Sequence, residues 1–286
     1  MSPTPSPERQ TADPSALTVL KIVWHAAKSC VRERPGQILA SAFLLLMVWG
    51  YHGELDLVHA IYPRYTGPGS VLGPRQVVIP GIPWDNELIS FAAGLLLVVV
   101  IPLLIVHFGF RQKLWDYGVG LPPKGRRKLA VWTFLTLTGL SVPAFYFGAK
   151  NPDMRKVYPF FKDFTSLSQF GWYELSYFPF FVAIEFIFRG YLLFGLEQIR
   201  NEHVKAIAGG TPAPYFFGKY ALLIQMLSYT AWHLGKPLPE LWGTLVWGIA
   251  AGATAWRVRS IWPIVFSHWL LNVFLDFLIV RQKLGY

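Results

Sequence analysis

Glu185 and Arg189 sit four residues apart inside FVAIEFIFRGYLLFGL, His233 closes LLIQMLSYTAWHL, and His268 and Asn272 sit four apart inside IWPIVFSHWLLNVFLDFLIV. An ionisable group in a lipid-facing helix is costly unless it is paired, faces the bundle interior or lines a wet cavity. Each such group is therefore a site hypothesis by default. Four-residue spacing puts Glu185 and Arg189 on one helical face, about 6 Å apart along the axis, and does the same for His268 and Asn272. Tyr229 shares a face with His233 in the same way. A carboxylate, two imidazoles and an amide, delivered by three separate apolar stretches, form an inventory for activating water. A general base takes the proton, and imidazole, amide or a metal stabilises the oxyanion. Glu185, His233 and His268 would equally suit a catalytic zinc with an open fourth position. The residues alone leave both a zinc ion and no cofactor open.

Blander readings stand beside each of these. Glu185 and Arg189 can neutralise one another as a structural ion pair. Asp276 continues the His268–Asn272 stripe, and so near a helix end it is expected to snorkel toward the mouth. Glu174 lies eleven residues before Glu185 and is expected to meet headgroups or solvent. His107 has no polar company and is read as a histidine bonded to a neighbouring helix. H-E-x-x-H and G-x-S-x-G are both absent, and Ser228 and Ser267 lie near the histidines without a nucleophile elbow. Cys30 is the single cysteine. It cannot form an intramolecular disulfide and reads as an incidental thiol.

The elements that must position these groups are long and apolar. The chain has 286 residues, 53% hydrophobic and 15% charged, against roughly 25% charged in soluble domains. Residues 88–110 and 129–149 carry no Asp, Glu, Lys or Arg, and each meets the roughly 20 residues a spanning helix needs. The expected fold is all-α, a polytopic transmembrane helical bundle of about seven to eight spans with an N-terminal interfacial helix. Candidate spans are 37–51, 88–110, 129–149, 175–197, 217–233, 241–256 and 261–280. The Pro- and Ser-rich stretch 1–16 reads as a disordered tail and not as a signal peptide. Residues 17–36 read as a basic amphipathic segment at the interface. Residues 37–286 form a single transmembrane domain with its catalytic core at about 175–275.

Net charge is +10, but the basic residues cluster between apolar runs, as in Arg111, Lys113, Lys124, Arg126, Arg127 and Lys128. That is an orientation signal and a contact with anionic headgroups; it is not a nucleic-acid module. The pattern implies an integral protein of the cytoplasmic (inner) membrane with a cytoplasmic N-terminus and the 52–87 loop outside. Arg155, Lys156 and Lys162 conflict with strict alternation, as do Arg281 and Lys283; an eighth hydrophobic element would remove the conflict.

The three polar clusters resemble the motifs of the CAAX-processing and bacteriocin-processing (CPBP, or Abi) family of intramembrane endopeptidases. The stretch from Ile184 to Gly190 is similar to E-E-x-x-x-R with its F-R-G ending. Tyr229 to His233 is similar to F-x-x-x-H, and His268 to Asn272 to H-x-x-x-N. The resemblance implies hydrolysis of a peptide bond near the C-terminal part of a membrane-associated protein or peptide. In it Glu185 and His233 activate water, His268 and Asn272 hold the oxyanion, and Arg189 and Tyr229 support them. One position departs from the pattern: Ile184 stands where the motif has its first glutamate. Adjacent helix positions differ by about 100°, so Glu185 does not simply replace its neighbour. The chain is similar to a single-glutamate subgroup in which E-F-x-F-R-G is followed by H-x-G-K-P-x-x-E, which makes Glu240 a candidate second carboxylate. Ile184 also motivates an alternative, a catalytically inactive scaffold on the same fold. Intramembrane Glu, His and Asp also build proton relays, so a proton-coupled transporter is a further alternative. The lack of an internal repeat weighs against it.

Overall fold

A computed structural model describes residues 16–52, 79, 81–197 and 217–286. The 1–16 tail, apart from Ala16, and most of the 52–87 loop lie outside them, as does the side chain of Cys30. The described residues are helical, with no strand among them. Helices α1 (Ala16–Arg32) and α2 (Arg34–His52) are followed by α3, which runs through Asp85–Leu95 and on to Gly109. Then come α4 (Arg127–Gly148), the short α5 (Pro152–Val157) and α6, which begins as Leu167–Glu185 and continues to Glu197. The last three are α7 (Tyr220–Trp232), α8 (Leu238–Val258) and α9 (Trp262–Val280).

Among the described residues four helices are long and apolar enough to cross a membrane: Glu87–Gly109, Lys124–Gly148, Leu167–Glu197 and Trp262–Val280. The chain is an integral membrane protein on this ground. The other expected spans are helices as well, but α7 has only 13 residues, short of the length that bilayer thickness requires of an untilted helix. Amphipathic α1 leaves Val19, Leu20, Ile22, Val23 and Trp24 exposed, the pattern of a helix that rests on an interface.

Helix α6 is the axis of the bundle. Its first turn is set by Ser166, whose hydroxyl accepts from the Gln169 amide at 3.1 Å, while the Gln169 side chain accepts from the Thr165 amide at 2.7 Å. This reciprocal cap starts the helix at Leu167, eight residues before the apolar run that marks it in the sequence. Most of its length is buried, with Tyr173, Tyr177, Phe181, Phe186, Phe188 and Phe194 filling the core. From Phe186 to Phe194 the turns widen to π-helical form, a local rewinding often found at functional sites. Arg189 lies in this stretch and is fully buried.

Helices α7 and α8 pack through small residues. A Cβ on Gly252 would stand 2.4 Å from Gln225 Nε2, and one on Gly248 would stand 2.8 Å from Met226 Cγ. Gln225 cannot yield easily, because its Nε2 donates to the Gly248 carbonyl at 2.7 Å. Small residues four apart let two backbones approach in this way. Gly252→Leu is expected to force the pair apart and cost about 1–3 kcal/mol of stability. Thermal melting in detergent checks this; an unchanged midpoint would show that the contact is not tight.

Candidate active site

Helices α6, α7, α8 and α9 bring the chemistry-bearing residues together at one end of the bundle. A cavity of about 560 Å³ opens there, and its lining includes His233, Glu240, His268, Asn272, Tyr158 and Ile184. Four of the five residues singled out as catalytic thus share one wall-lined space. The fifth, Glu185, is not among the lining residues and is fully buried. Its neighbour Ile184 faces the cavity instead. The 100° offset between adjacent helix positions accounts for this.

Glu185 lies behind His268. Its Oε1 accepts from His268 Nδ1 at 2.7 Å and stands 3.4 Å from Trp247 Nε1, and its Oε2 lies 3.3 Å from Arg189 Nε. The His268 ring is held between Phe181, 4.9 Å away by ring centroids, and Trp247 at 5.2 Å. Nδ1 is therefore committed to Glu185, and Nε2 is the ring nitrogen left for chemistry. This is the logic of an oriented imidazole, in which a buried carboxylate fixes tautomer and rotamer. The Arg189 guanidinium also covers the Tyr229 ring, with Cζ 3.9 Å from its centroid. Tyr229 thus supports the buried cation through a cation–π contact.

His233 follows the last residue of α7. Its Nδ1 lies 2.8 Å from the Tyr229 carbonyl oxygen, to which it donates, and Nε2 lies 3.8 Å from Glu240 Oε1. Glu240 sits in the first turn of α8, three residues after Pro237, and its Oε1 also accepts from the Tyr158 hydroxyl at 2.6 Å. Burial, together with the adjacent Glu240 carboxylate, pushes the Tyr158 phenol well above its ordinary value. Tyr158 thus stays protonated and donates. The turn His233–Gly235–Lys236 is closed by Lys236 N donating to the His233 carbonyl at 3.1 Å, with Gly235 at φ +92. That left-handed position suits glycine, and it folds the chain back so that His233 meets Glu240.

Asn272 donates from Nδ2 to Asp276 Oδ2 at 3.0 Å. Two expectations are corrected here. Asp276 does not snorkel: it is fully buried. Glu174 does not meet solvent: it too is buried, alongside Asp276. Both Glu174 oxygens and Asp276 Oδ1 lack an N–H or O–H donor among the described residues. A buried carboxyl with no donor is costly. Their burial comes from α6 packing on α9, where Trp269 Nε1 donates to the Glu174 carbonyl at 2.9 Å. Ser267 is tied to Thr138 at 2.8 Å and His107 is exposed on α3; neither belongs to the site.

The zinc expectation does not fit this arrangement. Among the described residues no three His, Cys, Asp or Glu side chains are grouped so as to hold a metal ion. Glu185, the carboxylate of the expected set, is engaged by His268 and Arg189. Two partners escaped sequence reasoning altogether. Tyr158 lies in a loop with no motif around it. Trp247 was legible in principle, because it follows Glu240 by seven residues, two helical turns along one face.

Residues 168–274 match the family model for type II CAAX prenyl endopeptidase Rce1-like proteins. The matched stretch runs from the first turn of α6 through Asn272 and contains Glu185, Arg189, His233, Glu240 and His268. It agrees with the resemblance drawn from the three motifs. No curated protein and no solved structure matches the chain.

Proposed function

We propose that the protein is an intramembrane endopeptidase that hydrolyses a peptide bond near the C-terminal part of a membrane-associated protein or peptide. The observation that carries this reading is the convergence of His233, Glu240, His268 and Asn272 on one cavity. Glu240 and His233 form the water-activating pair. Their 3.8 Å separation suits two groups that share one water, and His233 Nε2 is free to accept because Nδ1 is held by the Tyr229 carbonyl. Water attacks the scissile carbonyl carbon and its proton passes to the pair. The C–N bond then breaks, and the same proton leaves with the amine. His268, held through Nδ1 by Glu185, presents Nε2 to the reacting carbonyl, and the Asn272 amide donates to the developing oxyanion. Glu185 acts through His268 and is a positioning residue.

The test is cleavage of a quenched-fluorescent, membrane-anchored peptide by the protein purified in detergent. His233→Ala and His268→Ala are each expected to lower kcat by about 10²–10⁴, the usual range for general acid–base groups. Turnover that survives both substitutions would remove the proposed site.

A second reading, an inactive scaffold, is favoured by Ile184, an apolar residue on the cavity wall. Under the proposed mechanism Glu240 already supplies the carboxylate. Ile184→Glu is then expected to change turnover by less than about tenfold, below the span attributed to a general base. Cleavage that appears only in Ile184→Glu would establish the scaffold reading for the natural chain.

A further inference from the structure

The end of the bundle opposite the catalytic cavity carries a second concentration of charge. Helix α8 runs from Glu240 at the cavity to Arg257 at this far end, and α6 runs the same way to Glu197. Two adjoining cavities of about 600 and 640 Å³ open here, and Arg126 and Arg259 line both. Arg257 lines the first with Trp256 and Glu197, and Trp115 lines the second with Asp116. Both shared arginines are held in place. Arg126 Nη1 donates to the Arg257 carbonyl at 3.0 Å, and Arg259 Nη1 donates to Glu197 Oε2 at 3.0 Å with its Cζ 4.9 Å from the Phe194 ring. Each guanidinium has further N–H groups, up to five in all. Arg259 also adopts φ +59, a left-handed conformation uncommon for arginine, as the cap of α8.

Arg126, which lines both cavities, ends the 3₁₀ turn Lys124–Arg126 that leads into α4. Neither this turn nor the first turn of α4 contains an acidic residue, and neither has a side-chain cap. Lys124, Arg126, Arg127 and Lys128 crowd the helix start instead. Cations there oppose the helix dipole and the unsatisfied N–H groups, and an anion would relieve both. Arg126, Arg257 and Arg259 thus line the two cavities with two acids, Asp116 and Glu197, and Lys124, Arg127 and Lys128 flank Arg126 in the sequence.

We infer that Arg126 and Arg259, with the open start of α4, form a binding site for the phosphate of an anionic phospholipid headgroup. The surrounding surface selects lipid over free phosphate. Trp115 is 71% exposed, Leu121 74% and Trp132 68%, so an apolar band for acyl chains adjoins the arginines. Tryptophan at this level is also the usual membrane-interface anchor.

The experiment measures thermal stabilisation of the full chain in mixed micelles. One set contains phosphatidylglycerol and the other an equal mole fraction of phosphatidylcholine; a third arm adds inorganic phosphate alone. Phosphatidylglycerol is expected to raise the melting midpoint above phosphatidylcholine. Phosphate is not expected to reproduce the rise, and if it does so fully the lipid assignment fails. Arg126→Gln is expected to raise the phosphatidylglycerol concentration for half-maximal effect about fivefold, the weight of one interfacial cation. Should Arg126→Gln fail to fold, Lys124→Gln/Arg127→Gln tests the same helix start through two neighbouring residues. Lys150→Gln/Arg155→Gln, exposed at the opposite end, is the control and is expected to leave the shift intact. Equal loss in the control, or no lipid preference in the parent protein, overturns the site.

Discussion

Glu240→Gln is expected to lower kcat for peptide cleavage by about 10³, with KM changed little. Glutamine keeps the shape of glutamate and still accepts the Tyr158 hydroxyl bond, so α8 should start as before. It cannot accept a proton from water. General-base groups contribute about 10²–10⁴, and the buried setting of the His233–Glu240 pair places the loss within that range. The pair acts as a unit, so Glu240→Gln/His233→Ala should cost little more than either change alone. Additive losses would show that the two residues do not share one water. Glu185→Gln provides the contrast. Under the proposed roles it weakens the orientation of His268, and it should slow turnover less than Glu240→Gln. A larger loss from Glu185→Gln would return the base role to Glu185 and assign Glu240 to support.

Much of this architecture was legible from residue order. The apolar runs located α3, α4 and α9 to within about three residues, because an apolar stretch of that length has few alternatives to a helix. The start of α6 was not legible in that way. Residues 167–174 mix polar and aromatic types, and it is the Ser166–Gln169 cap that sets the boundary. At the site, the four-residue spacings named His268 and Asn272 correctly as neighbours on one face of one helix. The direction of Glu185 was not legible, since it depends on how α6 rotates against α9 and on the wide turns after it. Burial of Asp276 beside Glu174 depends on the same packing of α9 on α6. The link between Tyr158 and Glu240 joins residues 82 apart in the chain, and no local pattern encodes it. That Ile184 stands where the resembled motif has its first glutamate was visible at once. Residue order also offered Glu240 as a second carboxylate; that it lines the cavity together with Glu87, while the wall at Ile184 is apolar, follows from how the helices pack.

Arg189→Met is expected to be the most damaging single change to stability. Arg189 and Glu185 are both fully buried, 3.3 Å apart from Nε to Oε2. The guanidinium nitrogens find no hydrogen-bond acceptor of good geometry among the described residues. The charge is balanced by the Glu185 carboxylate and by the face of Tyr229. Removing the cation leaves Glu185 buried with only His268 and Trp247 as donors. Breaking one side of a buried ion pair costs about 3–5 kcal/mol, a large fraction of a marginally stable fold. Glu185→Gln strands the guanidinium in the same way. In the double variant Glu185→Gln/Arg189→Met neither charge remains, and the methionine fills the volume beside Tyr229. The double variant should therefore melt above at least one of the single variants, a coupling of several kcal/mol by a double-mutant cycle. Strictly additive destabilisation would mean that the two charges do not compensate one another. The rescued fold should still cleave slowly, because a neutral amide behind His268 holds Nδ1 and the ring less firmly than the carboxylate does. Recovery of stability without recovery of turnover is the signature that separates a positioning role from a purely structural one.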